Sequence, residues 1–231
     1  MRRFYSTDIR NDSIYLDQDE SRHLKQVLRA KEGDQVEVVN GKGNLYQCEI
    51  IKLEKKECEL RILEFSFSEK SLNLWMAVSP TKNINRWEWF LEKATEIGIS
   101  RISPILCENS ERKHLKYDRQ IRILKEAMKQ SHQLHLPELD EMTSFDTFLK
   151  EAQREEKYIA HCYEGEKEKL LSAHQKNKNT LILIGPEGDF SRPELESAIS
   201  KGFLPISLGE SRLRTETAAI AACHTISLLD D

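Results

Sequence analysis

Thr180-Leu181-Ile182-Leu183-Ile184-Gly185-Pro186-Glu187-Gly188-Asp189-Phe190-Ser191 reads as an apolar strand running into a glycine-rich turn. Five apolar or β-branched residues in a row fit a strand buried on both faces, as in a parallel sheet. Ser191 is an N-cap for a helix over 192–201, with Pro193 tolerated in its first turn and Glu194 at the capping-box position. The unit repeats downstream. Residues 204–208 form a second apolar strand, Gly209-Glu210-Ser211-Arg212-Leu213-Arg214 a second loop, and 215–229 a final helix. Strand, loop and helix in succession mean an α/β domain with a mainly parallel sheet.

Upstream, the same rhythm starts at the apolar strand 72–78. A helix over 85–97 carries Trp87, Phe90, Leu91, Ala94 and Ile97 on one face and ends at Gly98. Residues 101–106 and 158–161 read as strands, and 117–133, 144–155 and 166–174 as helices. The polar stretch 66–71 marks a domain boundary, giving domains 1–70 and 71–231. The first 70 residues are strand-rich. Short strands are expected at Tyr5 and over 14–16, and longer ones over 35–39, 45–53 and 57–67. Asn40-Gly41-Lys42-Gly43-Asn44 is a hairpin signal, and a helix is expected over 19–29, capped by Asp17 or Asp19. This half reads as a small β-barrel with one helix.

Composition narrows the function. Charged residues make up 32% of the chain, and no apolar run approaches about 18 residues, so a soluble cytoplasmic protein is expected and not a membrane one. Met1-Arg2-Arg3-Phe4-Tyr5 lacks the apolar core of a secretory signal. Cys48, Cys58, Cys107, Cys162 and Cys223 form no C-x-x-C pair, which argues for a reducing compartment and against structural zinc. A nucleic-acid binder usually shows a basic excess, and with a net charge of −4 any basic surface here must be local. Between residues 101 and 133, eight basic residues face four acidic ones. On charge alone that segment also reads as a solvated helix face.

Ligands of parallel α/β sheets bind beyond the C-terminal ends of the strands. The loops 185–190 and 209–214 both lie there. Their glycines let backbone amides approach a ligand, and the helices behind them offer free N–H donors. Neither loop is G-x-G-x-x-G or a phosphate-binding G-x-x-x-x-G-K, so dinucleotide and ATP readings lose support. Four alanines over 218–222 suit tight helix packing, but Arg214 and Glu216 at that helix's start suit the edge of a polar site.

Taken together, Ile184-Gly185-Pro186-Glu187-Gly188-Asp189-Phe190-Ser191 with Glu194, then Leu208-Gly209 and Leu213-Arg214-Thr215-Glu216-Thr217-Ala218, resemble the motif pair of RsmE-type small-subunit ribosomal RNA methyltransferases of the SPOUT superfamily. Glu92-Lys93, Glu96 and Gly98, Ser110-Glu111-Arg112, and Glu126, Gln130 and Ser131 resemble further family motifs. Arg3-Phe4, His23 with Val27-Leu28-Arg29, Gly33 and Gly41-Lys42-Gly43 resemble the PUA-like RNA-binding domain that precedes them. The chain departs from the pattern at His132-Gln133, at Asp189 where Gly is commoner, and at Ser211-Arg212.

The resemblance implies an α/β SPOUT domain with a C-terminal trefoil knot, which topology rules alone would exclude. It implies a homodimer, S-adenosylmethionine as methyl donor, no metal, and methylation of uridine N3 in the 16S ribosomal RNA of the small subunit. Cofactor contacts fall on Ile184, Gly185, Pro186, Glu187, Gly188, Leu208, Gly209, Leu213, Arg214, Thr217 and Ala218. Arg214 is the candidate to stabilise a uracil anion, and Glu187 or Glu216 the candidate proton acceptor. RNA contacts fall on Arg3, His23, Arg29, Lys42, Arg112 and Lys113. The alternatives are a SPOUT methyltransferase acting on another RNA site or base atom, and an inactive RNA-binding assembly factor.

Overall fold

The computed structural model describes residues 2–54, 56–70 and 72–231. Met1, Ser71 at the start of the expected second domain, and the side chain of Val27 lie outside the described residues. The chain divides into two compact units. One is Met1–Lys70 with Lys125–Leu136, and the other is Ser71–Leu124 with Pro137–Asp231.

In the first unit, β1 (Arg3–Tyr5), β2 (Asp8–Arg10), β3 (Ser13–Leu16), β4 (Gln35–Val39), β5 (Asn44–Leu53) and β6 (Cys58–Phe67) form one curled sheet. The strand order is β1-β4-β5-β6-β3-β2. Alternation along the strands sends Phe4, Ile14, Leu16, Val38, Cys48, Ile50 and Leu60 to one buried face, where Leu24 closes the core. The curled sheet is the small barrel-like unit expected, left open between β1 and β2, which do not pair among the described residues.

The helix expected over 19–29 is shorter. Asp17 caps α1 (Gln18–Arg22) by accepting the Glu20 amide at 2.9 Å, and a π-helical turn, His23–Val27, follows. Arg29 then takes φ +52°, which ends helical geometry. The segment Lys125–Leu136 joins this unit through specific bonds. Leu136 N–H donates to Gly41 O at 2.9 Å and Gly43 N–H to Leu134 O at 3.0 Å. Lys129 donates to Glu20 at 2.5 Å, with both side chains about nine-tenths buried. Burial raises the pKa of Glu20, while Lys129 opposes that rise. Breaking one partner of a buried pair leaves the other charge stranded. Glu20→Ala is therefore expected to destabilise this unit by about 3 kcal/mol, read from its urea midpoint.

The second unit is an α/β layer structure. Its elements are β7 (Leu74–Val78), α2 (Ile84–Ile97), β8 (Arg101–Leu106), α3 (Tyr117–Gln130, shared with the first unit), β9 (Glu138–Leu139), β10 (Thr143–Ser144), α4 (Phe145–Glu151), β11 (Glu156–Ala160), β12 (Glu168–Lys169), α5 (Leu170–Ala173), β13 (Thr180–Ile184), α6 (Arg192–Ser200), β14 (Leu204–Ser207) and α7 (Thr215–Asp230). All strand pairs are parallel, in the order β10-β8-β7-β13-β11-β14-β12, with β9 beside β8. The central strands β7 and β13 are buried at every position, which is why they read as unbroken apolar runs.

Three expectations change here. The helix expected over 166–174 is instead the edge strand β12 and one turn, α5. Pairing of Glu168 and Lys169 with β14 overrides their helical spacing. The helix 144–155 stops at Glu151, because Ala152 is extended and Glu156 begins β11. Helix α3 ends at Gln130, and His132 takes φ +61°.

Candidate active site

Adjacent strands in a parallel sheet deliver their C-terminal loops side by side. β13, β11 and β14 are consecutive in the sheet. The loops leaving them surround one cavity of about 540 Å³, within the range of small-molecule sites. Gly185, Pro186 and Glu187 form one wall, Leu208 to Arg214 the second, and Ala160, His161, Cys162 and Lys167 the third.

Packing shapes the first wall. A Cβ on Gly185 would stand 3.1 Å from the Phe190 ring and from the Phe190 amide nitrogen, so glycine lets the turn close against that ring. Thr215 in the first turn of α7 donates to Gly185 O at 3.1 Å and ties the two loops together. Gly209 has φ +136°, a backbone shape that side-chain-bearing residues rarely adopt. Asn109 donates to Gly188 O at 3.3 Å and Asp189 O at 3.1 Å, and the Lys82 amide donates to Glu187 at 3.0 Å.

Asp189 explains its own departure from glycine. Its φ of +66° is left-handed, a region glycine enters freely and Asp enters with local hydrogen bonds. One carboxylate oxygen accepts the Phe190 amide at 2.8 Å, and the other accepts the Cys162 amide at 2.7 Å. Asp189 thus joins the first and third walls. Asp189→Ala is expected to cost about 2–3 kcal/mol in lost charged hydrogen bonds and left-handed strain, and Asp189→Gly clearly less. Denaturation midpoints of the two variants check this order.

The mouth carries charge of both signs. Arg212 and Arg214 are exposed, as are Glu187 and Glu210. Arg214 is the N-cap of α7 and makes no side-chain cap bond. Lys167 is held by the carbonyls of Tyr163 at 2.7 Å and His161 at 3.2 Å. The His161 pKa is lowered, first by burial and then by Lys167, so its imidazole is neutral at neutral pH.

Of the residues expected at the cofactor, Ile184, Gly185, Pro186, Glu187, Leu208, Gly209, Leu213, Arg214 and Ala218 line this cavity. Gly188 and Thr217 do not, and neither does Glu216, the other candidate proton acceptor. Gly188 sits one residue back, against Asn109, and Thr217 is exposed on α7. Glu216 is buried and faces α2, where Arg86 lies 3.5 Å away. That placement corrects its candidacy as a proton acceptor at the cavity.

Among the residues expected to contact RNA, His23, Arg29, Lys42 and Lys113 are exposed. Arg3 is not. Its side chain is 8% exposed and paired with Glu37 at 3.0 Å, so its guanidinium is committed within the sheet. Arg112 is also committed, donating to Thr81 O at 2.9 Å and to Lys82 O.

Residues 68–227 match the family model of the RNA methyltransferase domain, and residues 16–63 that of the RNA methyltransferase PUA domain. A curated relative from Rickettsia conorii, ribosomal RNA small subunit methyltransferase E, is 30% identical over 228 residues, covering 95% of this chain and 91% of that protein. The chain belongs to the ribosomal RNA small subunit methyltransferase E family. A crystal structure of a probable rRNA methyltransferase from Porphyromonas gingivalis is 36% identical, with a TM-score of 0.92 over 100% of this chain and 98% of that one. The family's enzyme from Neisseria gonorrhoeae, solved bound to S-adenosyl methionine, is 27% identical, with a TM-score of 0.88 over 99% and 98% of the two chains.

Within this methyltransferase, the third wall is what sequence reasoning missed. The strand over 158–161 was legible, and the strand-end rule applies to its loop as well. Nothing local in the sequence places β11 between β13 and β14, so Ala160 to Lys167 carried no signal of belonging to the site. The described residues contain no cluster of metal-ligating side chains, and no helix is long and apolar enough to cross a membrane.

Proposed function

We propose that this chain methylates N3 of a uridine in the 16S ribosomal RNA of the small subunit, using S-adenosylmethionine. Residues 1–70 act as a PUA-like RNA-binding domain and 71–231 as the SPOUT methyltransferase domain, working as a cytoplasmic homodimer. In this reading the loops after β13 and β14 form a trefoil knot. The observation that carries the proposal is the convergence of three strand-end loops on one cavity with Arg214 and Glu187 at its mouth.

The cavity fits the cofactor on chemical grounds. Glycine at 185 and 209 leaves room for backbone contact, Glu187 and Glu210 offer negative charge to a cationic donor, and Lys167 and Arg212 offer positive charge to a carboxylate. S-adenosylmethionine supplies a methyl group already activated by its sulfonium, so the protein's task is positioning and charge control. Uracil N3–H is weakly acidic. Glu187, fixed by the Lys82 amide, accepts that proton. Arg214, at the positive end of α7, stabilises the negative charge left on the uracil oxygens. N3 lies on the Watson–Crick edge, so the base enters unpaired or flipped. His23, Arg29, Lys42 and Lys113 supply phosphate contacts that weaken with salt.

Nucleoside mass spectrometry of 16S rRNA from cells lacking this protein tests the assignment. Loss of N3-methyluridine at one site is expected, and an unchanged modification profile would overturn it. The cysteines give a second test of the pocket. Cys48, Cys58, Cys107 and Cys223 are buried, and burial pushes the Cys48 thiol up to about 12. Only Cys162 is exposed, and it lines the cavity. Brief alkylation of the native protein is expected to label Cys162 alone, with saturating S-adenosylhomocysteine protecting it. Labelling at the same rate with and without that ligand would place it elsewhere.

A further inference from the structure

The end of β6 is anomalous for a soluble sheet. Phe65 is 70% exposed and Phe67 59%, with Leu63 at 42%. Phe65 pairs with Tyr46 and Phe67 with Asn44, and the Phe65 and Tyr46 rings stand 6.3 Å apart. Tyr46 packs on the domain core, so these rings continue the core face of the sheet past the point where the core ends. An apolar core face left open to water costs free energy unless something covers it.

We infer that Phe65 and Phe67 are a stacking platform for unpaired bases of the RNA substrate. The inference rests on the ribosomal RNA reading above. Size argues against a protein partner as the occupant. Two phenylalanine rings at these exposures offer on the order of 250 Å², against about 800 Å² per partner in a stable interface. Spacing suits single-stranded RNA. Residues two apart on a strand are about 6.7 Å apart, twice the base-to-base rise of about 3.4 Å, so a splayed segment can lay bases against both rings. Charge suits it too. The Ser68 amide donates to Gly43 O at 3.0 Å, which brings the exposed Lys42 to the end of the platform, and Lys42 has no ion pair among the described residues. Glu64 alternates to the other face of β6. Aromatic rings accept any base, so the platform provides affinity for unstacked RNA without reading sequence.

The test uses the full-length protein and a single-stranded 16S rRNA fragment in fluorescence anisotropy at fixed salt. Phe65→Ala with Phe67→Ala is expected to weaken binding by about 30-fold or more. The dependence of affinity on salt should keep its slope, because no phosphate contact is removed. Phe65→Tyr with Phe67→Trp is expected to restore affinity. In methylation assays the alanine pair raises KM for RNA, while S-adenosylmethionine affinity by calorimetry is unchanged. Wild-type RNA affinity in the alanine pair overturns the platform alone, since the wild-type protein still methylates. A shift from dimer to monomer in the alanine pair assigns the rings to a second copy and also overturns it. A wild-type protein that methylates no ribosomal RNA overturns both readings.

Discussion

Arg214→Ala is expected to lower the methylation rate roughly 10²- to 10³-fold, the usual loss when one preorganised charge-stabilising donor is removed. The folded state gives no reason for a stability loss alongside it. The Arg214 side chain is exposed, makes no cap hydrogen bond and forms no ion pair among the described residues. Arg112 and Arg3 differ, since each is bonded inside its own unit and its loss would disturb structure. Melting temperature should therefore stay near wild type while kcat falls. Arg214→Lys keeps a point charge without the planar fork and should recover part of the rate. Wild-type kcat in Arg214→Ala, with folding intact, would remove this residue from the chemistry. Glu187→Gln is the companion variant. It keeps an acceptor for the Lys82 amide, so its rate loss should grow as pH falls and less uracil is already ionised.

The two outer walls of the site were legible because they are local. An unbroken apolar strand, a glycine turn and a capped helix are contiguous at 180–200 and again at 204–229, so sequence order and spatial order coincide there. The third wall depends on sheet order, which no window of sequence contains. Glu187 and Glu216 show the same limit at the level of single residues. Both are carboxylates beside a loop, and only packing separates one at the cavity mouth from one buried against Arg86. Arg3 and Arg29 divide in the same way, because Glu37 sits opposite Arg3 only once β1 pairs with β4. The one helix misread as a whole, over 166–174, lies at a sheet edge. There two backbone pairings outweigh a favourable helical spacing.

Phe190 connects the core to the chemistry, and its removal should be the most damaging single core change near the site. The ring is fully buried, packs on Phe145 with centroids 5.5 Å apart, and forms the surface on which Gly185 rests. Its carbonyl accepts the Tyr163 hydroxyl at 2.7 Å, so the third wall is anchored to the same residue. Phe190→Ala leaves a ring-sized hole in a cluster that includes Leu183, Leu195 and Phe203. Such truncations cost about 3–5 kcal/mol, or on the order of 10 °C in Tm for a unit of this size. Trp75, Trp87 and Trp89 are the chain's three tryptophans and all lie in the second unit, so their fluorescence follows that unit's unfolding alone. S-adenosylmethionine affinity should fall as well, because the turn at Gly185 loses the ring that fixes it. Phe190→Leu retains most of the volume and should recover most of both losses. A Tm within about 2 °C of wild type in Phe190→Ala would mean the cluster collapses around the hole, since the cost of a cavity depends on how far its walls can relax.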